Sequence, residues 1–151
     1  MLLAGIRRRH TFGGAAESIP AQWADFNRLG PIPGRTDGTA YGAMCATWLD
    51  EQAFEYLSGV EVDSFDALPP ELGRMRVPAQ RYAVFEHHGS VATIQQTWGR
   101  IWQEWVPRSG LTPGDTPDYE RYDDRFDPAT GEGVVEIWFP IQEREEQDAQ
   151  G

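Results

Sequence analysis

Cysteine is nearly missing from this sequence of 151 residues, in which Cys45 is the only one. No internal disulfide can form, and a reducing compartment fits this composition. No apolar run approaches the roughly 18 residues that a membrane-spanning helix needs. The N-terminal residues 1–10 carry three arginines after the apolar residues, which is the reverse of a secretion signal. We therefore expect a soluble, cytoplasmic protein with no membrane partner.

Positive charge is also scarce, since 13 Lys and Arg face 24 Asp and Glu for a net charge of −11. Nucleic-acid binding needs a basic footprint, so this charge argues against it. An acidic chain instead attracts cations, including cationic small molecules. The sequence contains no nucleophilic-serine motif, no glycine-rich phosphate loop and no dinucleotide-binding fingerprint. We expect no cofactor.

The histidines and aspartates form no recognisable metal motif. His87 and His88 are adjacent in a predicted strand, so their side chains point to opposite faces. No Cys/His spacing typical of zinc is present. The cluster of Asp123, Asp124 and Asp127 lacks the glycine and the closing glutamate of a calcium loop. We predict no metal site.

Aromatic residues, in contrast, are abundant, with six Trp, five Tyr and seven Phe. Such side chains suit both cores and ligand pockets. Hydrophobic periodicity and turn residues predict helices at residues 18–29 and 90–105, and strands at 2–10, 39–48, 54–62, 75–87, 119–126 and 133–141. This order is β-α-β-β twice, joined by a proline-containing linker at residues 64–73.

The two halves, residues 1–62 and 75–141, share their element order and approximate length, which predicts an internal repeat. We predict one α+β domain over residues 1–141, built from duplicated βαββ units. Their two antiparallel sheets are expected to lie side by side, each with a helix, with a ligand groove between them. The polar tail at residues 142–151 is expected to be frayed.

Glu136 is the first candidate for a functional side chain. In residues 134–141, strand alternation places Val134, Glu136 and Trp138 on one face. A carboxylate buried there without a partner is costly or keeps its proton. It would need a hydroxyl group, an arginine or a cationic ligand. An edge strand with Glu136 facing water is the alternative interpretation of this segment.

Aromatic residues supply the other candidates. Tyr82 could hydrogen-bond Glu136 or stack on a ligand, and the ring of Trp138 could make a cation–π contact. Trp98 and Trp102 lie in the apolar stripe of the helix at residues 90–105, where core packing is the ordinary role. The full set of candidate pocket aromatics is Tyr41, Tyr56, Tyr82, Trp98, Trp102 and Trp138.

Four segments together carry a family resemblance: residues 81–90 (RYAVFEHHGS), the Trp-bearing helix, residues 117–122 (PDYERY) and residues 136–141 (EIWFPI). In this order they resemble the GyrI-like family, the effector-binding domains of bacterial multidrug-responsive transcription activators. The resemblance covers residues 75–141, whereas residues 1–62 match only in element order.

The resemblance implies a duplicated βαββ fold whose pocket binds bulky hydrophobic, often cationic compounds against a buried acidic residue, placed at Glu136. The sequence has no helix-turn-helix segment, so we expect a stand-alone small-molecule binder. Its oligomeric state does not follow from the sequence. One alternative is a hydrolase of electrophilic, cyclopropane-bearing toxins, with Glu136 and Tyr82 as catalytic residues. The other is a protein-interaction role, such as inhibition of a DNA gyrase.

Overall fold

The computed structural model describes residues 1–143. The first half contains β1 (Leu2–Thr11), α1 (Ala15–Asn27), β2 (Arg35–Trp48), β3 (Ala53–Val62) and β4 (Gly73–Arg76). The second half contains β5 (Tyr82–Ser90), a long helix, β6 (Leu111–Pro113), β7 (Tyr119–Tyr122), β8 (Phe126–Asp127) and β9 (Glu132–Glu143).

The long helix, called the second helix below, runs through residues 91–109 in four parts. A 3₁₀ turn (Val91–Thr93) leads into α2 (Ile94–Arg100), a π-helical turn (Ile101–Trp105) and α3 (Val106–Ser109). The Ser90 hydroxyl caps this helix, because it accepts a hydrogen bond from the Ala92 amide. Gly110 ends the helix in the left-handed region, where glycine is favoured.

The strands form one antiparallel sheet in the order β4-β1-β3-β2-β7-β9-β5, with β6 and β8 also paired to β9. The α+β class is therefore confirmed, but the prediction of two separate sheets is wrong. Strands β2 and β7 pair from Ala40 opposite Tyr122 to Ala43 opposite Tyr119. An open strand edge leaves backbone donors and acceptors unpaired, and this pairing satisfies both edges at once.

Three predicted boundaries differ from the structure. The predicted strand at residues 75–87 is divided: β4 pairs with β1 at one end of the sheet and β5 pairs with β9 at the other. The first helix begins at Ala15 rather than near Ser18, whose hydroxyl contacts His10 instead of capping. Strand β9 extends to Glu143, and residues 144–151 of the predicted tail lie outside the described residues.

Both helices pack on the same face of the sheet, called the helix face below. The second helix buries Ile94 and Ile101 against Val135, Ile137 and Phe139 of β9. The opposite face has its own buried cluster, which contains Tyr41, Leu57, Met75 and Tyr119. In residues 1–143 no helix has the length and apolar character required to cross a membrane.

Buried histidines tie each helix to the sheet. His10 Nε2 lies 2.5 Å from Gln22 Oε1, and the Gln22 amide donates to the Ile6 and Tyr56 carbonyls. In the second half of the chain, His87 Nδ1 lies 2.7 Å from Thr97 Oγ1. These contacts satisfy polar groups that would be costly to bury alone, and they hold each helix against its own strands.

Candidate functional site

A cavity of about 840 Å³ lies on the helix face, above β2 and β7. This volume is in the usual range for small-molecule pockets. Its walls combine aromatic and aliphatic side chains from both halves of the chain, including Trp23, Phe26, Ile32, Val91, Tyr122 and Phe126. These walls can contact the apolar surface of a bulky ligand, while charged side chains line other parts of the cavity, namely Arg35, Asp37, Arg121, Asp123 and Asp124.

Glu120 lies beside this cavity, at the centre of the sheet. Tyr119 and Arg121 point to the opposite face, so strand alternation directs Glu120 and Tyr122 toward the helices. The Glu120 side chain is buried, with 8% of the residue exposed. Its position combines burial with proximity to the cavity wall.

Three neutral groups donate hydrogen bonds to the Glu120 carboxylate. The Tyr122 hydroxyl is 2.6 Å and the Tyr56 hydroxyl 3.4 Å from Oε1, while Trp98 Nε1 is 2.8 Å from Oε2. The donors come from β7, β3 and the second helix, so the site requires elements of both halves. Because all three donors are neutral, none of them forms an ion pair with this carboxylate.

Burial dominates the electrostatics of this cluster. It raises the pKa of Glu120 above the ordinary carboxyl value, while the hydrogen bonds from Tyr122, Trp98 and Tyr56 oppose that shift. Burial and the nearby carboxylate also raise the pKa values of Tyr122 and Tyr56 well above normal. Both tyrosines therefore stay protonated near neutral pH and remain hydrogen-bond donors.

Gly42 makes room for one of these donors. It lies opposite Glu120 in the pairing of β2 with β7, and a Cβ atom there would fall 1.8 Å from the Tyr56 hydroxyl oxygen. That hydroxyl also accepts a 3.2 Å hydrogen bond from Trp23 Nε1. Since Trp23 lines the cavity and packs edge-on against Tyr122, these aromatic rings separate the cavity from the carboxylate.

Glu136 lies elsewhere, on the face of the sheet opposite the helices. Its side chain is partly exposed, and its oxygens lie 2.9 Å from Arg125 Nη2 and 3.4 Å from Arg121 Nη1. Trp138 Nε1 also donates to it, at 3.0 Å. The partner that a carboxylate at this position was expected to need is thus a pair of arginines. Glu136 does not face the cavity because its strand turns Val135 and Ile137 toward the helices.

The predicted aromatic residues divide between the two faces. Tyr41, Tyr82 and Trp138 join Tyr119 on the face opposite the helices, where Tyr119 and Trp138 stack at 5.5 Å. The Tyr82 hydroxyl donates to the Pro117 carbonyl at 2.8 Å. These residues are brought together with one another but not with the cavity.

Two of the predicted aromatics do meet the buried carboxylate, namely Trp98 and Tyr56. Trp102 is half exposed and packs against Phe139 with ring centroids 4.9 Å apart. Sequence reasoning missed Glu120, Tyr122 and Trp23. The alternation of Glu120 and Tyr122 within residues 117–122 is the signal that could have found two of them.

Comparison with known proteins agrees with this fold. The profile of a family described as "GyrI-like small molecule binding domain" matches residues 1–142. Transcriptional regulator BrlR of Pseudomonas aeruginosa is 33% identical over 133 residues, which are 86% of this chain and 49% of the regulator. The chain therefore spans about half the length of this curated relative.

Two solved structures share the fold at low sequence identity. SAV2435 bound to tetraphenylphosphonium superposes with a TM-score of 0.75 at 22% identity, covering 100% of this chain and 94% of that one. An integron cassette protein from the mobile metagenome of Vibrio cholerae gives 0.68 at 20% identity, covering 94% and 90%. These similarities establish the architecture.

Proposed function

The chain belongs to the GyrI-like small-molecule-binding domain family, and we propose that it binds bulky hydrophobic cations on the helix face. In this proposal the aromatic cavity holds the apolar part of the ligand. Glu120 supplies the negative charge, and the ligand's cationic centre approaches it past Trp23 and Tyr122. This role replaces the one that the sequence suggested for Glu136.

The carboxylate of Glu120 is the observation that carries the proposal. It is buried behind Trp23 and Tyr122, which line the cavity, and the three groups that donate to it are neutral. Charge attraction is stronger in a water-poor site than at the surface, because the effective dielectric constant is lower. A hydrophobic cation gains both this attraction and the burial of its apolar surface.

The strand order supports a groove between two similar units. Outward from β2 lie its hairpin partner β3 and then β1, which precedes the first helix. Outward from β7 lie its partner β9 and then β5, which precedes the second helix. This symmetry is what two βαββ units joined along β2 and β7 would produce. The tetraphenylphosphonium bound to the structurally similar SAV2435 is a hydrophobic cation, which is consistent with the proposed ligand class.

The hydrolase alternative receives no such support from the geometry. Tyr82 pairs with Pro140, four residues along β9 from Glu136, and its hydroxyl donates to Pro117. The two residues therefore do not form one acid–base pair. A protein-interaction role that depends on the acidic surface stays a prediction, and a binding partner insensitive to changes at Glu120 would favour it.

Isothermal titration calorimetry with a charged and a neutral ligand tests the proposal. Tetraphenylphosphonium should bind the full chain at least about tenfold more tightly than neutral triphenylphosphine oxide, because only the cation pairs with Glu120. In a Glu120→Gln variant the two affinities should become similar. Equal affinities in the unaltered protein would contradict the proposal.

A further inference from the structure

Strand β5 (Tyr82–Ser90) forms one edge of the sheet, and in residues 1–143 its paired strand is β9 alone. Edge strands are normally protected by charged residues, proline or a covering segment, because their free backbone groups recruit other strands. The first four residues of β5, Tyr82 to Phe85, carry no charge. Val84 has 45% of its surface exposed. Within residues 1–143, this half of the edge has neither a charged residue, nor a proline, nor a second paired strand.

A second cavity, of about 670 Å³, lies between this edge and the second helix. Phe85, Ile101 and Trp105 give it an apolar floor, and the rings of Phe85 and Trp105 meet edge-on at 4.9 Å. The site therefore combines a strand edge with an adjacent groove that has an apolar floor and polar walls. Strand addition to a sheet edge uses both features, since the backbone pairs while side chains enter the groove.

Charged residues border the groove in an alternating order. Arg100, Glu104 and Arg108 all line it from the second helix, so they form one stripe that reads positive, negative, positive. In the described part of the chain none of the three has a partner in an ion pair. Their charges are thus available to a partner on this side of the molecule.

Such a stripe is complementary to an antiparallel copy of itself that is shifted by one turn. Arg100 then faces Glu104 of the copy and Glu104 faces Arg100 of the copy, as in a two-fold symmetric interface. The surroundings of the edge are also less acidic than the chain as a whole. Glu86 is already paired with Arg125, whereas the whole chain carries a net charge of −11.

We propose that β5 is a self-association edge, which pairs antiparallel with β5 of a second copy of this chain. The two sheets then form one continuous sheet, and the two second helices lie beside each other across the two-fold axis. The charged side chains of the two second helices then pair with each other beside the two β5 strands. This inference goes beyond ligand binding and does not depend on it, because Glu120 lies on the opposite side of the second helix from this edge.

Sedimentation equilibrium of the full chain over a dilution series tests the proposal. We expect a concentration-dependent species of twice the 17.0 kDa chain mass. Val84→Asp should return the single-chain mass, because it places a charge on the free edge beside Glu86. Leu49→Asp is a control with the same change of net charge at a more exposed position in a turn, with 75% exposure, and it should leave the association unchanged.

A charge swap tests the stripe itself. Glu104→Arg should weaken association about tenfold, because it places arginine against Arg100 of the copy. The double variant Arg100→Glu, Glu104→Arg should restore the affinity to within about threefold. The proposal is overturned by a single-chain mass at every concentration, by a dimer that ignores Val84→Asp, or by a double variant no better than Glu104→Arg. Far-UV circular dichroism and thermal unfolding of each variant serve as the check that it is folded.

Discussion

Gly42 lies directly opposite Glu120 in the pairing of β2 with β7, and the space that a side chain at position 42 would fill holds the Tyr56 hydroxyl. That hydroxyl is 3.4 Å from the Glu120 carboxylate. The glycine belongs to the first half of the chain and the carboxylate to the second. The arrangement of the site therefore depends on how the two halves meet along this strand pair.

Replacing Gly42 by alanine should disturb the site directly. The new methyl group would overlap the Tyr56 hydroxyl, which is buried and cannot move without loss of its hydrogen bonds. We expect a loss of about 1–3 kcal/mol in the free energy of unfolding, as for other overpacked cores. Cation affinity should also fall. Urea unfolding followed by calorimetric titration measures both.

Gly13→Ala is the matched control for this change. No atom outside its immediate neighbourhood lies within 4 Å of a Cβ atom at position 13. The control should leave the affinity unchanged, and any stability change should be small. If Gly42→Ala behaves like Gly13→Ala, the Tyr56 hydroxyl is not held where the structure places it.

Replacing Trp98 by phenylalanine should remove one hydrogen bond from the carboxylate and keep most of the aromatic packing. The lost bond joins Trp98 Nε1 to Glu120 Oε2 at 2.8 Å. Hydrogen bonds to charged groups contribute about 1.5–3 kcal/mol, so we expect cation affinity at pH 7 to drop about tenfold. Cation binding should also reach its maximum at a higher pH than in the unaltered protein, because the ionised form of Glu120 is less stabilised.

Trp102→Phe provides the comparison on the same helix. Trp102 is half exposed and packs against Phe139 without contacting Glu120. Titrations between pH 4 and pH 9 should give the same pH dependence for this variant as for the unaltered protein. An equal shift in both tryptophan variants would mean that the helix, rather than the hydrogen bond, governs binding.

The pH dependence of stability should report on Glu120. Burial raises the pKa of Glu120 in the folded state above its unfolded value, so the folded protein holds this proton more tightly. Its contribution to stability is present at low pH and is lost as pH rises through the raised pKa. In Glu120→Gln this loss should disappear. Between pH 4 and pH 8, the free energy of unfolding of the variant should therefore rise relative to that of the unaltered protein. Urea unfolding at several pH values measures both.

The ion pairs on the opposite face should have the reverse dependence on pH. Arg125 holds the pKa of Asp123 at about 2, so this contribution is present above the unfolded value and is lost as pH falls toward 2. Arg125→Gln should lower Tm by roughly 2–4 °C at pH 7, and the two proteins should converge near pH 2. Arg28→Gln, which breaks the exposed pair with Asp25, should have less effect at pH 7.

The order of elements could be read from the sequence because each depends on local signals. The apolar stripe of the second helix, its Ser90 cap and the turn at Gly131 lie within a few residues of the elements they delimit. The pairing of β2 with β7 could not be read, since it joins residues nearly eighty positions apart. The same holds for the pairing of β4 with β1, which divides the strand predicted at residues 75–87.

The site was only partly predictable for a related reason. Strand alternation specifies which residues share a face, but it does not specify which face meets the helices. For β9 the apolar residues on both faces left this choice open, and the structure places Glu136 with Arg121 and Arg125 on the face opposite the helices. For β7 the alternation of Glu120 with Tyr122 was visible, although only the packing of both helices marks that face as the buried one.

Calorimetric titration of tetraphenylphosphonium into Glu120→Gln and Glu136→Gln at pH 7 distinguishes the two glutamates as ligand partners. If Glu120 is the buried anionic partner of the ligand, Glu120→Gln should weaken binding by roughly a hundredfold, which corresponds to about 2.7 kcal/mol. Glu136→Gln should bind within about threefold of the unaltered protein, because Glu136 is paired with Arg121 and Arg125 on the other face. A large loss in Glu136→Gln together with unchanged binding in Glu120→Gln would show that Glu136, and not Glu120, is the ligand's anionic partner.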